Sequence, residues 1–203
     1  MALPGFWYFS LMRTIYVAFV LFLIATAGCT QQNPEVVIKT ELGDITVELY
    51  PDKAPISVNN FLTYVKENRF KEATFYRVVT MENQPDKEIK IEVIQGGNFD
   101  DDHPDSLPPI THETTDQTGI KHVDGVISMA RMEPGTANDD FFICVGNQPE
   151  LDYGGKRNPD GQGFAAFGKV VKGMDVVHKI HQVPAPEQWM ENGIPILSVE
   201  MVK

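Results

Sequence analysis

Apolar and polar residues alternate through Phe75-Tyr76-Arg77-Val78-Val79, the period of a half-buried strand. Strict alternation sets Phe75 and Arg77 on one face and Tyr76 on the other. The same two-residue period runs through 36–40 and 45–49, which flank a turn at Glu41-Leu42-Gly43-Asp44 and so predict a hairpin. It returns at 89–94, ending in Gln95-Gly96-Gly97, and predicts an extended hairpin lying beside the Arg77 strand. Further strands are predicted at 125–130, 141–145, 164–171 and 195–202, the last with Ile196, Ser198, Glu200 and Val202 on one face.

The period changes at Val58, Phe61, Leu62 and Val65, which fall on one face of a helix opened by Pro55. A second helix follows Gly173, with Met174, Val177 and Ile180 inward. The stretches 81–90, 98–123, 153–162 and 183–193 carry polar, Gly or Pro residues and read as loops, with Trp189 as a packing residue in the last. About eight strands joined mostly by turns, with two helices, close into a barrel or pack as a sandwich.

Residues 1–28 break this pattern. Arg13 is their one charged residue, and Ile15 to Ala27 is an apolar run of signal-peptide length, short for a membrane span. Met12-Arg13 stands where such a signal begins, so Met12 is a candidate start. The run ends in Thr26-Ala27-Gly28-Cys29, which resembles the bacterial lipobox, although Thr26 sits where Leu is commoner. That resemblance implies cleavage before Cys29, a lipid on Cys29 and a membrane-held protein, with 29–35 as tether and 36–203 as the folded domain. An uncleaved anchor or a soluble secreted form are the alternatives. The expected place is the cell envelope, facing the periplasm. Thr30 lacks the Asp that favours inner-membrane retention, so the outer membrane is preferred.

The formal net charge of −11 argues against nucleic acid as a partner, because phosphate binding needs clustered Lys and Arg. With Cys29 lipidated, Cys144 has no disulfide partner; in Phe141-Phe142-Ile143-Cys144-Val145 it reads as a buried, inert thiol. Asp100, Asp101, Asp102 and Asp105 lack the alternating spacing of a calcium loop. His103, His112 and His122 lack zinc spacing and read as loop histidines. No phosphate-binding glycine motif occurs, so neither metal nor cofactor is expected.

Thr40-Glu41-Leu42-Gly43-Asp44-Ile45, Ala54-Pro55, Asn60-Phe61, Phe75, Arg77-Val78-Val79, Gln95-Gly96-Gly97, Ser128-Met129-Ala130, Phe141-Phe142-Ile143 and Phe167-Gly168-Lys169-Val170 occur in that order. Together they resemble a bacterial cyclophilin-type peptidyl-prolyl isomerase over about residues 36–202. The resemblance implies a closed eight-stranded antiparallel barrel capped by two helices, acting as a monomer on proline-containing polypeptides. It assigns catalysis to Arg77 and the proline pocket to Val93, Phe142 and Leu151. Gln95 resembles the glutamine that bonds substrate backbone, Ala130 the backbone contact before the pocket, and Phe164 stands where a pocket His is usual.

The chemistry suits such a site. An X–Pro bond isomerises by rotation alone, over a barrier of about 18–20 kcal/mol. A catalyst need only favour the twisted amide, whose pyramidal nitrogen can accept a hydrogen bond from a guanidinium. Departures from the family pattern are Tyr76 for a His, Glu92 for a pocket Phe, Asp140 for a Gln and Glu150 for a Trp. A carboxylate at Glu92 or Asp140 is placed to pair with Arg77 and slow catalysis. A proline-binding module or chaperone with little turnover is the alternative.

Overall fold

The computed structural model describes residues 32–99 and 103–202. The leader, Cys29 and Asp100 to Asp102 therefore lie outside the described residues. The strands are β1 (Glu35–Thr40), β2 (Gly43–Leu49), β3 (Thr74–Val79), β4 (Val93–Gly97), β5 (Val126–Met129), β6 (Phe141–Cys144), β7 (Ala165–Lys172) and β8 (Trp189–Met201). They close into an antiparallel barrel in the order β1-β2-β7-β5-β6-β4-β3-β8. Closure leaves no free sheet edge. The expected eight-stranded barrel is thus the one observed.

Side chains alternate in and out along each strand. The inward set includes Ile38, Ile45, Val47, Phe75, Val78, Ile94, Ile127, Phe141 and Ile143, all in one core cluster. Helices α1 (Pro55–Lys66) and α3 (Met174–His181) add Val58, Phe61, Tyr64, Val176, Val177 and Ile180 to the same cluster. Phe141 is central, with Phe61, Phe70 and Phe75 edge-on to it at ring distances of 5.6, 5.9 and 5.8 Å. Gly96 makes room for this: a Cβ there would stand 2.8 Å from the Thr74 carbonyl oxygen and 2.9 Å from the Phe75 ring.

Three sequence expectations change. A third helix, the single turn α2 (Thr115–Thr118), interrupts the 98–123 loop. It is closed by a capping box in which Thr114 and Gln117 bond each other's backbone. In the same segment, buried Glu113 accepts the backbone N–H groups of Ile56 (3.1 Å) and Ser57 (2.7 Å) and the Ser57 hydroxyl (2.7 Å). A carboxylate at the start of α1 satisfies orphan donors and the helix dipole together, fixing the irregular segment to the barrel.

The strand predicted at 89–94 starts only at Val93. Before it, side-chain amides take over backbone bonding: Asn83 Nδ2 donates to the carbonyls of Val78 and Ala185, and Gln84 Nε2 to those of Thr80 and Ile91. Last, β8 begins at Trp189, not Pro195, because Trp189 pairs with Arg77. Its register also skips Leu197 against β1, so Ile196 and Val199 are buried while Ser198, Glu200 and Val202 leave the predicted face.

Candidate functional site

The site grows from a bulge. Thr74 and Phe75 pair with Gly97 and Gly96, but Arg77 pairs with Gln95, which leaves Tyr76 as an extra residue in β3. Phe75 therefore enters the core, while Arg77 emerges on the outer surface of the barrel. The expected shared face of Phe75 and Arg77 is corrected by that single insertion.

Outward residues of β3, β4 and β6, namely Val79, Val93, Phe142 and Cys144, form a second apolar cluster with Ile91 and Leu151, and Ala130 and Phe164 pack against it. The register explains the meeting, since Gln95 faces Phe142 and Phe142 faces Ser128 across neighbouring strands. Leu151 joins from a 3-10 turn, Pro149–Leu151. Phe164 stands edge-on to Phe142 at 5.2 Å. The Arg131 guanidinium lies 5.1 Å over the Phe164 ring and is tied to Asp160 at 2.8 and 3.0 Å. The cluster is nearly closed over: Phe142 is 4 % exposed and Leu151 fully buried, leaving Ala130 and Phe164 as its accessible edge. Cys144 lies within it, and burial pushes its thiol pKa up, away from reactivity.

Arg77 stands at the border of this cluster. One guanidinium nitrogen donates to Gln95 Oε1 at 2.8 Å and the other to Gln188 Oε1, while Nε is buried with no partner among the described residues. The plane lies 5.6 Å from the Trp189 ring. Burial, then the charge of Arg157, pushes the Arg77 pKa down, yet from so high a starting value that the group stays cationic. Neutral amides thus aim a desolvated cation, without quenching its charge.

The expected carboxylate competition takes a different form. Asp140 Oδ2 accepts the Tyr76 hydroxyl at 2.8 Å and Oδ1 the Phe99 N–H at 3.3 Å. Tyr76 in turn accepts from Gln95 Nε2 at 2.6 Å. Burial, reinforced by Asp140, raises the Tyr76 pKa far above its usual value, so the hydroxyl keeps its proton. These bonds run in one sense, Arg77 to Gln95 to Tyr76 to Asp140, and they fix the Gln95 amide orientation. Among the described residues Glu92 makes no ion pair with Arg77.

The family model described as "Cyclophilin type peptidyl-prolyl cis-trans isomerase/CLD" matches residues 35–201. The chain belongs to this family. The chain is similar to a peptidyl-prolyl cis-trans isomerase of Acinetobacter baylyi, at 36 % identity over 92 % of either chain. It is also similar to peptidyl-prolyl cis-trans isomerase B of Escherichia coli, at 34 % identity over 79 % of this chain and 92 % of that one. A crystal structure of a Cryptosporidium parvum cyclophilin-type isomerase, in the presence of the dipeptide Ala-Pro, shares the fold. Its TM-score is 0.67 at 21 % identity, over 83 % of this chain and 99 % of that one. As a cyclophilin-type peptidyl-prolyl cis-trans isomerase, the protein is an enzyme.

In this cyclophilin, several site residues escaped sequence reasoning. The sequence reads both Gln188 and Trp189 as part of the loop 183–193, with Trp189 as a packing residue. Glu187 (φ 55°) and Gln188 (φ 76°) both occupy the left-handed region, which non-glycine residues avoid. Such strain persists where the surroundings impose it, and here it delivers the Gln188 carbonyl to Arg77. Gln188→Gly relieves strain of about 1 kcal/mol but strips the Arg77 cation of an acceptor worth about 1.5–3 kcal/mol. The thermal midpoint should therefore fall by the difference, roughly 1–8 °C; a midpoint that rises would show that the strain outweighs the bond.

His122, read as a loop histidine, is 1 % exposed and stacks on Phe142 at 5.9 Å. Its Nδ1 lies 2.9 Å from Asp152 Oδ1 and its Nε2 3.0 Å from the Ser128 hydroxyl. Asp152 Oδ1 also accepts the His122 N–H at 3.0 Å. The bonding assigns a neutral ring with the proton on Nδ1, accepting from Ser128. No local sequence signal pairs residues 122, 128 and 152.

Burial pushes the His122 pKa below its usual value despite Asp152. His112 is lowered likewise, chiefly by burial. Below about pH 6.5 the unfolded chain binds these protons and the folded chain does not, so stability falls as pH drops toward the folded values. Burial opposes the ionised form of Asp152, but the His122 bonds outweigh it and lower its pKa, adding loss at still lower pH. The thermal midpoint should be flat between about pH 7 and 8, fall from about pH 6.5 to 5, and fall again above about pH 8.5, where the unfolded chain ionises Cys144 and then Tyr76 while the folded chain keeps both protonated. A midpoint that rises over the acid interval would contradict the neutral assignment.

Proposed function

We propose that this cyclophilin catalyses X–Pro isomerisation in exported proteins, with Arg77 as its catalytic residue. The observation that carries this reading is the aim of Arg77: a desolvated cation, held by Gln95 and Gln188 at the border of the Phe142 cluster, with a buried Nε that has no partner among the described residues. With Phe164 turned aside, the proline ring rests on Phe142 and Val93 over buried Leu151, while Ala130 and Gln95 engage the flanking backbone. The ring is held as the preceding carbonyl turns. As the C–N bond loses double-bond character, its nitrogen becomes pyramidal and gains a lone pair, and Arg77 donates to it. A donor fixed in advance need not reorganise at that moment. No covalent bond forms or breaks.

The assay is exchange spectroscopy of a short Ala–Pro peptide, with the cis–trans rate followed at rising enzyme concentration. A rate equal to that in buffer would sink the reading. The altered rim, in which Tyr76 ties Gln95 to the Asp140 carboxylate beside Arg77, favours one second reading, a proline-segment binder with little turnover. Chemical-shift changes on adding peptide, without exchange enhancement, would select it.

The chain is placed in the cell envelope as a monomer, lipid-anchored through Cys29 and facing the periplasm, with the outer membrane preferred. The support is the apolar run ending at Gly28-Cys29. Labelled palmitate should enter the full chain and not its Cys29→Ser variant; equal labelling would exclude this anchor.

A further inference from the structure

Beside Arg77 lies an aromatic surface that the isomerisation chemistry does not use. Phe99, Tyr76 and Trp189 pack as a triangle, with ring distances of 4.9, 5.9 and 5.7 Å. Tyr76 lies beneath, buried, and Phe99 and Trp189 cover it while remaining 61 % and 49 % exposed. Two large aromatic side chains kept together in water lose burial that either would gain in a core.

Both are held there at a cost in backbone conformation. Phe99 itself has φ of 68°, a rare state for a bulky side chain, and its N–H is fixed by Asp140. Trp189 follows directly on the left-handed pair Glu187 and Gln188. Strain on both flanks of one patch marks an arrangement imposed by the fold and not a collapse of loose side chains.

The patch is continuous with the candidate proline site. Trp189 faces the Arg77 guanidinium, and Tyr76 is bonded to Gln95 and Asp140. A polypeptide whose proline amide lies at Arg77 therefore brings its neighbouring side chains over these rings. Tyr76 stacks on Trp189 and Phe99 meets both rings edge-on, so what the triangle offers a substrate is the exposed surface of Phe99 and Trp189, where a further ring gains aromatic contact in the stacked or edge-on geometries.

We propose that Phe99, Tyr76 and Trp189 form a specificity subsite for an aromatic side chain within two residues of the proline in the same substrate chain. This rests on the reading of Arg77 as the site of isomerisation. The subsite makes substrate choice depend on sequence around the proline, through binding and not through the rotation step.

The test uses exchange spectroscopy on alanine-based peptides with one proline, carrying Phe, Leu or Ala at each of the two positions on either side. At one of these positions Phe should raise kcat/KM about tenfold over Ala, through KM, with Leu between them. Phe99→Ala and Trp189→Ala should each bring the Phe-to-Ala ratio toward one. A wild-type ratio below about two at all positions, with turnover intact, would overturn the subsite and leave the isomerase reading standing. If no peptide turns over, that reading fails. Calorimetric affinities for the same peptides then decide the subsite: tighter binding of the Phe peptide that is lost in Phe99→Ala supports it, and equal affinity overturns it.

Discussion

Arg77→Ala should lower kcat/KM for X–Pro isomerisation by about 10²- to 10³-fold, the 2.7–4 kcal/mol that removal of one preorganised donor costs elsewhere. The fall should lie in kcat, because Arg77 is proposed to act on the twisted amide and not on the planar ground states. Arg77→Lys should recover little. An ammonium has no planar fork with which to engage both Gln95 and Gln188 while presenting a further N–H to substrate. The fold should survive either change, since the guanidinium is bonded to neutral amides and its removal strands no buried opposite charge. Single-turnover or exchange rates, compared at matched circular dichroism, measure this. A variant as fast as wild type would remove Arg77 from the mechanism.

Phe142→Ala should have the largest effect on stability among the site residues, about 3–5 kcal/mol. Its ring touches His122 on one side and Phe164 on another, and it is nearly buried. Truncation leaves a cavity inside the second apolar cluster that cannot close, because the β6 backbone is paired on both sides. For a domain of this size the thermal midpoint should fall by roughly 6–20 °C. Phe142→Leu keeps most of the volume and should cost about 1–1.5 kcal/mol. KM for a proline peptide should rise in Phe142→Leu while kcat changes less, because the ring is proposed to hold proline and not to act on the amide. Urea unfolding and the KM–kcat comparison check the two parts separately. An unchanged KM in Phe142→Leu would move the proline ring elsewhere.

Much of this architecture was legible in the order of residues. Period-two runs located most strands, because one face of each meets the core and the other meets water. The helix face of Val58, Phe61 and Val65 was legible for the same reason at period 3.6. Arg77, Gln95 and Phe142 were singled out by the resemblance of their motifs to the cyclophilin family.

What escaped is of a different kind. The bulge at Tyr76 is invisible to periodicity, because one extra residue reverses the face of everything after it; only pairing with Gln95 shows which residue is unpaired. Gln188, in the 3-10 turn just before β8, and Trp189, the first residue of β8, reach Arg77 from 111 and 112 positions away along the chain, and the start of β8 is set by its partner β3. His122 looked like a loop histidine until Ser128, Asp152 and Phe142 closed around it. Hydrophobic patterning is local in sequence and so determines which elements form and which faces they bury. Hydrogen bonds and ring contacts between distant segments depend on register and barrel closure, and these alone decided how Arg77 is aimed, which carboxylate stands aside for it and which rings surround it.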